Sequence, residues 1–264
     1  YVLSGLKETN YPIGYKEEQN VLRDYMKLIQ HRFTDTRKIK PRDFIGPSSK
    51  TLHIKHIQEV SEDSIVPNIR KDYTVTDKAD GMRKLLYITK SGKMYFITTT
   101  MAVQFTGAVC KNKALFESLM DGEHILHNKL HKYIHLYAPF DIYYINGRDV
   151  RYLPFAITDH IESKKNLGNT HRLNMLYQYV EDLKKNTELR TLRVEVKQFR
   201  FGKDIFMACK DILSHSTDIH FEYETDGLIF TPANMGVGLV PGDRHLKNKK
   251  ITWEYSCLLY TSPS

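Results

Sequence analysis

Three cysteines in 264 residues, Cys110, Cys209 and Cys257, are too few and too far apart for a disulfide framework or a Cys-x-x-Cys metal pair, which fits a reducing compartment. Long apolar runs are missing as well: none approaches 18 residues, so no helical membrane span is expected. The chain opens YVLSGLKETN, with no initiator Met and no signal-peptide pattern, and reads as a cytoplasmic, non-secreted piece of something longer. Gly236, Gly238 and Gly242 are followed by no Gly-Lys-Ser/Thr, which excludes a P-loop and leaves a mobile loop as the expectation. Internal repeats and low-complexity tracts are also lacking. What the chain does have is positive charge, +8 at pH 7, and 41% hydrophobic residues. The second supports a real core, and the first favours a polyanionic partner such as nucleic acid or nucleotide.

Residues 16–33 space Val21, Leu22, Tyr25, Met26, Leu28 and Ile29 as a helix would. A proline- and charge-rich stretch follows, so residues 1–44 read as a helical linker or the tail of a preceding region. From 45 to about 255 strands and helices alternate. KLLYIT and KMYFIT, joined by KSGK, predict a hairpin, and FDIYYI closed by NGRD predicts another. LRVEVKQF alternates, with Leu192, Val194, Val196 and Gln198 on one face of a strand. HRLNMLYQYVEDLKK repeats Leu173, Leu176, Tyr177, Val180 and Leu183 on one helical face, and KDIFMACKDIL is a shorter helix. Hairpins mixed with separate helices predict an α+β architecture with antiparallel sheets. The last stretch, CLLYTSPS, resembles translated sequencing-adapter read-through, so residues 256–264 are expected to be a non-native tail.

His124, His127, His131 and His135 would line one face of a helix, but GEHIL reads as a strand and HNKLHKYIH as a solvated loop. That scatters the imidazoles, and no metal site is assigned to them, nor to His53 and His56.

Asp-Gly pairs occur at 80–81, 121–122 and 226–227, where 17 aspartates and 14 glycines would give about one by chance. Hairpin turns alone produce such pairs, but the flanks differ. KADGMR sets Lys78 before the first pair and Arg83 after it; the second runs into Glu123; the third opens the apolar DGLIFTP. A neutral lysine amine is able to attack phosphorus and form a covalent lysine–nucleotide intermediate, splitting one hard transfer into two easier ones. Pyrophosphate would leave, which calls for a divalent cation. Carboxylates such as Glu123 and Asp226 would hold Mg²⁺ or Mn²⁺ or the sugar hydroxyls. Arg83, placed on the strand of the turn, would reach the sugar or phosphates. Each Asp-Gly turn would set its polar side chain at a strand end beside a shared cleft.

KADGMR resembles the KxDGxR motif of the covalent nucleotidyltransferases, which comprise mRNA capping guanylyltransferases and ATP- or NAD-dependent ligases. DGE at 121–123, PFDIYYING and DGLIFTP resemble the family's next motifs, in order, across roughly residues 45–255. DGLIFTP is similar to the capping-enzyme version rather than the ligase one. RDFIGPSSKTL, EVKQFRFG and GVGLVPGDRHLKNKKITWEYS look most like the multifunctional capping enzymes of large DNA viruses. The resemblance implies an α+β, ATP-grasp-like nucleotidyltransferase domain at 45–255, acting in the cytoplasm, a viral factory or a virion. It implies Lys78 as the nucleophile attacking GTP, Asp80, Gly81 and Arg83 about the lysine and sugar, and Glu123 on sugar or metal. It further implies Phe140 stacked on the purine, Asp226 on the metal side and Lys197 on a phosphate. GMP would pass to a 5′-diphosphate RNA end. An ATP-dependent ligase and a non-catalytic nucleotide-binding module are the alternatives. The family's Lys-x-Lys motif, expected after WEYS, is not found; Lys247, Lys249 and Lys250 precede its place. The family's C-terminal OB-fold domain is also missing, so this chain alone is expected to be impaired. Triphosphatase and methyltransferase domains are expected as neighbours in the parent protein.

Overall fold

The computed structural model describes residues 11–30, 33–34, 37–59, 67–157, 170–188, 192–202, 204–217, 221–237 and 258–260. The first element is helix α1, Tyr15–Ile29. Glu17 and Glu18 in its first turn and Lys27 in its last suit the helix dipole. Its apolar residues recur every three to four positions, so one face buries Val21, Leu22, Tyr25, Met26 and Ile29.

The strands form two sheets. The smaller takes the order β1 (Ser49–Thr51), β11 (Leu258–Tyr260), β10 (Thr225–Pro232) and β2 (Tyr73–Ala79). The larger runs β5 (Val103–Val109), β4 (Lys93–Thr98), β3 (Met82–Ile88), β6 (Ser118–His127), β7 (Tyr133–Ile145) and β8 (Arg148–Asp149), with β9 (Arg193–Val194) alongside β7. All neighbours are antiparallel except β1 with β11 and β9 with β7. Helices α2 (Arg172–Asn186) and α3 (Ile205–Thr217) complete the α+β architecture.

The larger sheet is covered on both faces. Leu86, Ile88, Met120 and Ile142 pack under Leu176, Val180 and Leu183 of α2. Leu85, Tyr87, Tyr95 and Ile97 pack under α1. A third cluster joins the sheets: Val75, Ala79, Leu228 and Phe230 of the smaller meet Ile125, Leu136 and Ala138 of the larger, with Ile205 and Ile212 of α3. Such burial on both faces is why β3 and β4 read as near-continuous apolar runs.

Both predicted hairpins are present. Asn146 and Gly147 take φ of 49° and 74°, the paired left-handed residues of a tight two-residue turn. Two expectations change. HNKLHKYIH is the tip and second strand of the β6–β7 hairpin rather than a loop, because β7 already starts at Tyr133. The alternation at 192–199 also breaks: Leu192 and Val194 are buried, but then Lys197 and Phe199 turn inward and Gln198 outward. The backbone explains it. Glu195 and Lys197 donate to Tyr137 and Pro139 of β7 at 3.0 and 3.1 Å, whereas Arg200 exchanges two 2.8 Å bonds with Val75 of β2. This segment passes from one sheet to the other, so it cannot keep one regular face. No helix among the described residues is long and apolar enough to cross a membrane.

Candidate active site

None of the three Asp-Gly pairs is a hairpin turn. Lys78 is near the end of β2 in the smaller sheet, and Arg83 is at the start of β3 in the larger. Asp80 and Gly81 carry the chain across the gap. Arg83 therefore does not share Lys78's strand; the motif straddles two sheets. Asp80 is exposed and its N–H donates to Glu224 O at 2.9 Å. Gly81 is a steric requirement: a Cβ there would lie 2.8 Å from Glu123 Cγ and 3.0 Å from His124 O. The other two pairs lie inside strands. Asp121–Gly122 is in the middle of β6, and a Cβ at Gly122 would lie 2.7 Å from Pro139 Cα. Asp226–Gly227 is at a bulge in β10 where the register with β2 shifts, and Gly227 has φ 142°. Bulges re-aim side chains, and this one brings the Asp226 carboxylate onto Lys78 Nζ as an ion pair. The pair is half-exposed, and the second Asp226 oxygen, Oδ1, is buried without a hydrogen-bond partner among the described residues.

On the larger sheet Arg83 is held bidentately by Asp121, Nε to Oδ1 at 3.0 Å and Nη2 to Oδ2 at 2.6 Å. Its Nη1 donates to Pro47 O at 2.8 Å, and Tyr143 OH donates to Asp121 Oδ2 at 2.6 Å. Burial works against the guanidinium's charge, but Asp121 outweighs it and keeps the pKa above its ordinary value. The guanidinium carbon lies 5.6 Å from the Phe44 ring and 5.7 Å from the Phe140 ring.

Glu123 is directly opposite Arg83 in the β3–β6 register. Burial lifts its carboxyl to about 7; Lys197, Arg83 and Lys78 pull it down, while Asp121 pushes it further up. Lys197 is 3% exposed. Its Nζ donates to Asp77 O at 2.5 Å and lies 3.1 Å from Asp77 Oδ2. Phe140 is half-buried against Phe155, Leu173 and Phe199. Lys78, Arg83, Glu123, Phe140, Lys197 and Asp226 thus converge where the two sheets meet.

Of the four histidines, only His124 and His135 approach, with ring centroids 5.0 Å apart, edge to face. Lys84 Nζ lies 2.9 Å from His124 Nδ1, and burial first, then Lys84, lowers the His124 pKa to about 2. A neutral imidazole there packs on Phe96 at 4.6 Å.

Four participants escape the sequence reading. Asp121 was visible only as part of a turn signal. Tyr143 and Arg172 gave no signal, and Asp141 gave a weak one, because a carboxylate within the apolar run FDIYYI demands a buried partner. Arg172, 1% exposed, supplies it through Nε–Oδ1 and Nη2–Oδ2 bonds of 2.8 and 3.1 Å to Asp141.

A divalent cation fits this donor set. Asp226 has an unsatisfied buried oxygen, and Glu123 would supply a second hard oxygen donor. No group of three or more His, Cys, Asp or Glu side chains among the described residues would hold a metal, so phosphate oxygens of a substrate would complete the shell.

A lysine paired to a carboxylate across one sheet is thus faced by an arginine, a carboxylate and an aromatic from the other. The family follows from sequence. Residues 17–250 match the model of the mRNA capping enzyme catalytic domain, and the chain belongs to that family. A probable mRNA-capping enzyme of Acanthamoeba polyphaga mimivirus is 27% identical over 150 residues, 56% of this chain. The chain spans only 11% of that relative's length. Among solved structures, the ligase domain of LigD from M. tuberculosis aligns at TM-score 0.38 and 13% identity, over 63% of this chain and 49% of the other. Mycobacterial DNA ligase D complexed with ATP and MES aligns with the same score and identity, over 63% and 50%.

Proposed function

We propose that this domain is an mRNA guanylyltransferase that forms a covalent lysine–GMP intermediate from GTP and passes GMP to a 5′-diphosphate RNA end. The observation that carries the reading is the ion pair of Lys78 with Asp226 beside a buried, unsatisfied carboxylate oxygen. The Lys78 Nζ lone pair forms a bond to the α-phosphorus as the bond from that phosphorus to the pyrophosphate oxygen breaks. Asp226, already in contact with Nζ, is placed to take the ammonium proton. Arg83 and Phe140 frame the nucleoside, and Gly81 lets Lys78 and Arg83 serve one substrate from two sheets. Mg²⁺ or Mn²⁺ at Glu123 and Asp226 would neutralise charge developing on the leaving pyrophosphate. In the second half-reaction a β-phosphate oxygen of the RNA end attacks the same phosphorus, and Lys78 leaves as the amine as Asp226 returns a proton to its nitrogen. The net charge of +8 suits an RNA acceptor. Triphosphatase and methyltransferase domains in the parent protein would supply that RNA end and consume the cap.

The test is covalent labelling with GTP or ATP carrying label at the α-phosphate, with Mg²⁺ or Mn²⁺, followed by denaturation. Label from GTP alone that disappears in Lys78→Ala is the expected result. Label from ATP alone would place the protein with the ligases, and label persisting in Lys78→Ala would remove Lys78 as nucleophile.

A further inference from the structure

Arg172 opens helix α2, where a cation opposes the helix dipole. It is nonetheless among the most buried side chains of the described residues. Its guanidinium ties three segments together. Two bonds go to Asp141 on β7, at 2.8 and 3.1 Å. Nη1 donates to Leu153 O in the turn after β8, and also to Met235 O, at 3.1 Å, in the segment after β10. That last segment is seated by Val237 N donating to Arg151 O at 2.7 Å. It is also seated by the close approach of Gly236, where a Cβ would lie 2.8 Å from Arg151 O.

Asp141 is next to Phe140 at a register break. Asp121 pairs with Asp141 but Gly122 pairs with Pro139, which leaves Phe140 as the extra residue of a bulge. The direction in which Phe140 projects is set by how that bulge is pinned. Phe140, Asp141, Arg172, Pro232, Met235 and Val237 line one cleft, which encloses about 20 Å³, room for a single water.

We propose that Arg172 is a positioning residue for the nucleobase, setting through Asp141 and Met235 how Phe140 faces the 232–237 segment across a cleft that widens to admit the purine. The inference rests on the nucleotidyltransferase reading for the ligand, but not on the covalent step. The Arg172 hydrogen bonds go to Asp141 and to the carbonyls of Leu153 and Met235, so its loss should weaken base-dependent binding and leave phosphate binding alone.

The experiment is equilibrium binding of GTP and of inorganic tripolyphosphate to wild type, Arg172→Lys, Asp141→Asn and the double variant, with melting curves for each. The expected result is GTP affinity weakened about tenfold or more and tripolyphosphate affinity within about twofold of wild type. Because the two side chains act as one unit, the double variant should be no weaker than the worse single. Asp141→Asn keeps the shape of the pair and serves if Arg172→Lys does not fold. Equal weakening of both ligands, unchanged GTP binding in a folded variant, a wild type that binds GTP no better than tripolyphosphate, or failure of both single variants to fold would each overturn the proposal. A wild type that binds GTP but takes up no covalent label would instead remove the capping reading and leave this contrast standing.

Discussion

The two sheets treat charge in opposite ways. On the smaller, Lys78 and Asp226 meet with side chains 28% and 39% exposed, and one carboxylate oxygen is left over. On the larger, Arg83–Asp121 and Arg172–Asp141 bury carboxylates that are 0% and 7% exposed, with every carboxylate oxygen bonded. A half-exposed ion pair contributes little to stability, whereas removing one partner of a buried pair strands a charge. The smaller sheet therefore holds the loosely paired candidate nucleophile, and the larger holds its charges in a tightly bonded frame. Chemistry and rigidity are assigned to different layers, joined by Asp80–Gly81 and by residues 193–200.

Substitutions sharpen or break this contrast. The largest effect is expected at Lys78: Lys78→Ala should abolish covalent nucleotide uptake while changing unfolding free energy by no more than about 0.5 kcal/mol, read from labelling and denaturant melts side by side. A comparable loss of stability would dissolve the contrast. Asp121→Ala should do the reverse, costing about 3–5 kcal/mol in denaturant unfolding because it leaves Arg83 buried without its carboxylate and Tyr143 without its acceptor. Asp226→Asn should lower the labelling rate on the order of a hundredfold and leave the melting temperature nearly unchanged. Gly81→Ala should cost about 1–3 kcal/mol and slow labelling, since the new methyl meets Glu123 and the His124 carbonyl.

The smallest effect is a pH dependence. Glu123 has a folded-state pKa raised from 4.5 to about 7. The folded protein thus holds a proton that the unfolded chain releases. The associated stability is complete below about 4.5 and is lost as pH rises through 7. Glu123→Gln should flatten that slope, by roughly 1–3 kcal/mol between pH 4.5 and 8. An unchanged slope would show that Glu123 is not the group that titrates there.

Much of the candidate site was legible because its charged groups cluster in short motifs. KADGMR and DGLIFTP name Lys78, Arg83 and Asp226 directly, and the 3.6-residue spacing of α1 and α2 names most of their buried faces, except that Tyr177 is exposed and Met175 and Tyr179 turn inward instead. The arrangement in space was not legible. A two-residue Asp-Gly signal reads as a turn, yet here the glycines serve close backbone approach at 81 and 122 and a bulge at 227. Lys197 lies in a run that alternates like a surface strand, but a buried carboxylate 120 residues away draws it inward. Period-2 patterning records which residues face apart, not the place where a segment changes sheets. Arg172 carried no local signal, because its need for Asp141 arises only once β7 and α2 pack together.

The pairing of β2 with β10 has a consequence for how the protein is made. Lys78 and Asp226 are 148 residues apart in the chain. At a ribosome adding about 5–20 residues per second, roughly 7–30 seconds separate the emergence of the two. During that interval the hairpins β3–β4 and β6–β7 have their partners at hand. β2, with Tyr73 and Val75 among its residues, waits as an open edge able to template wrong pairings. β2 thus leaves the ribosome well before the strand that houses it, so the candidate nucleophile Lys78 spends that interval on an open sheet edge of the nascent chain.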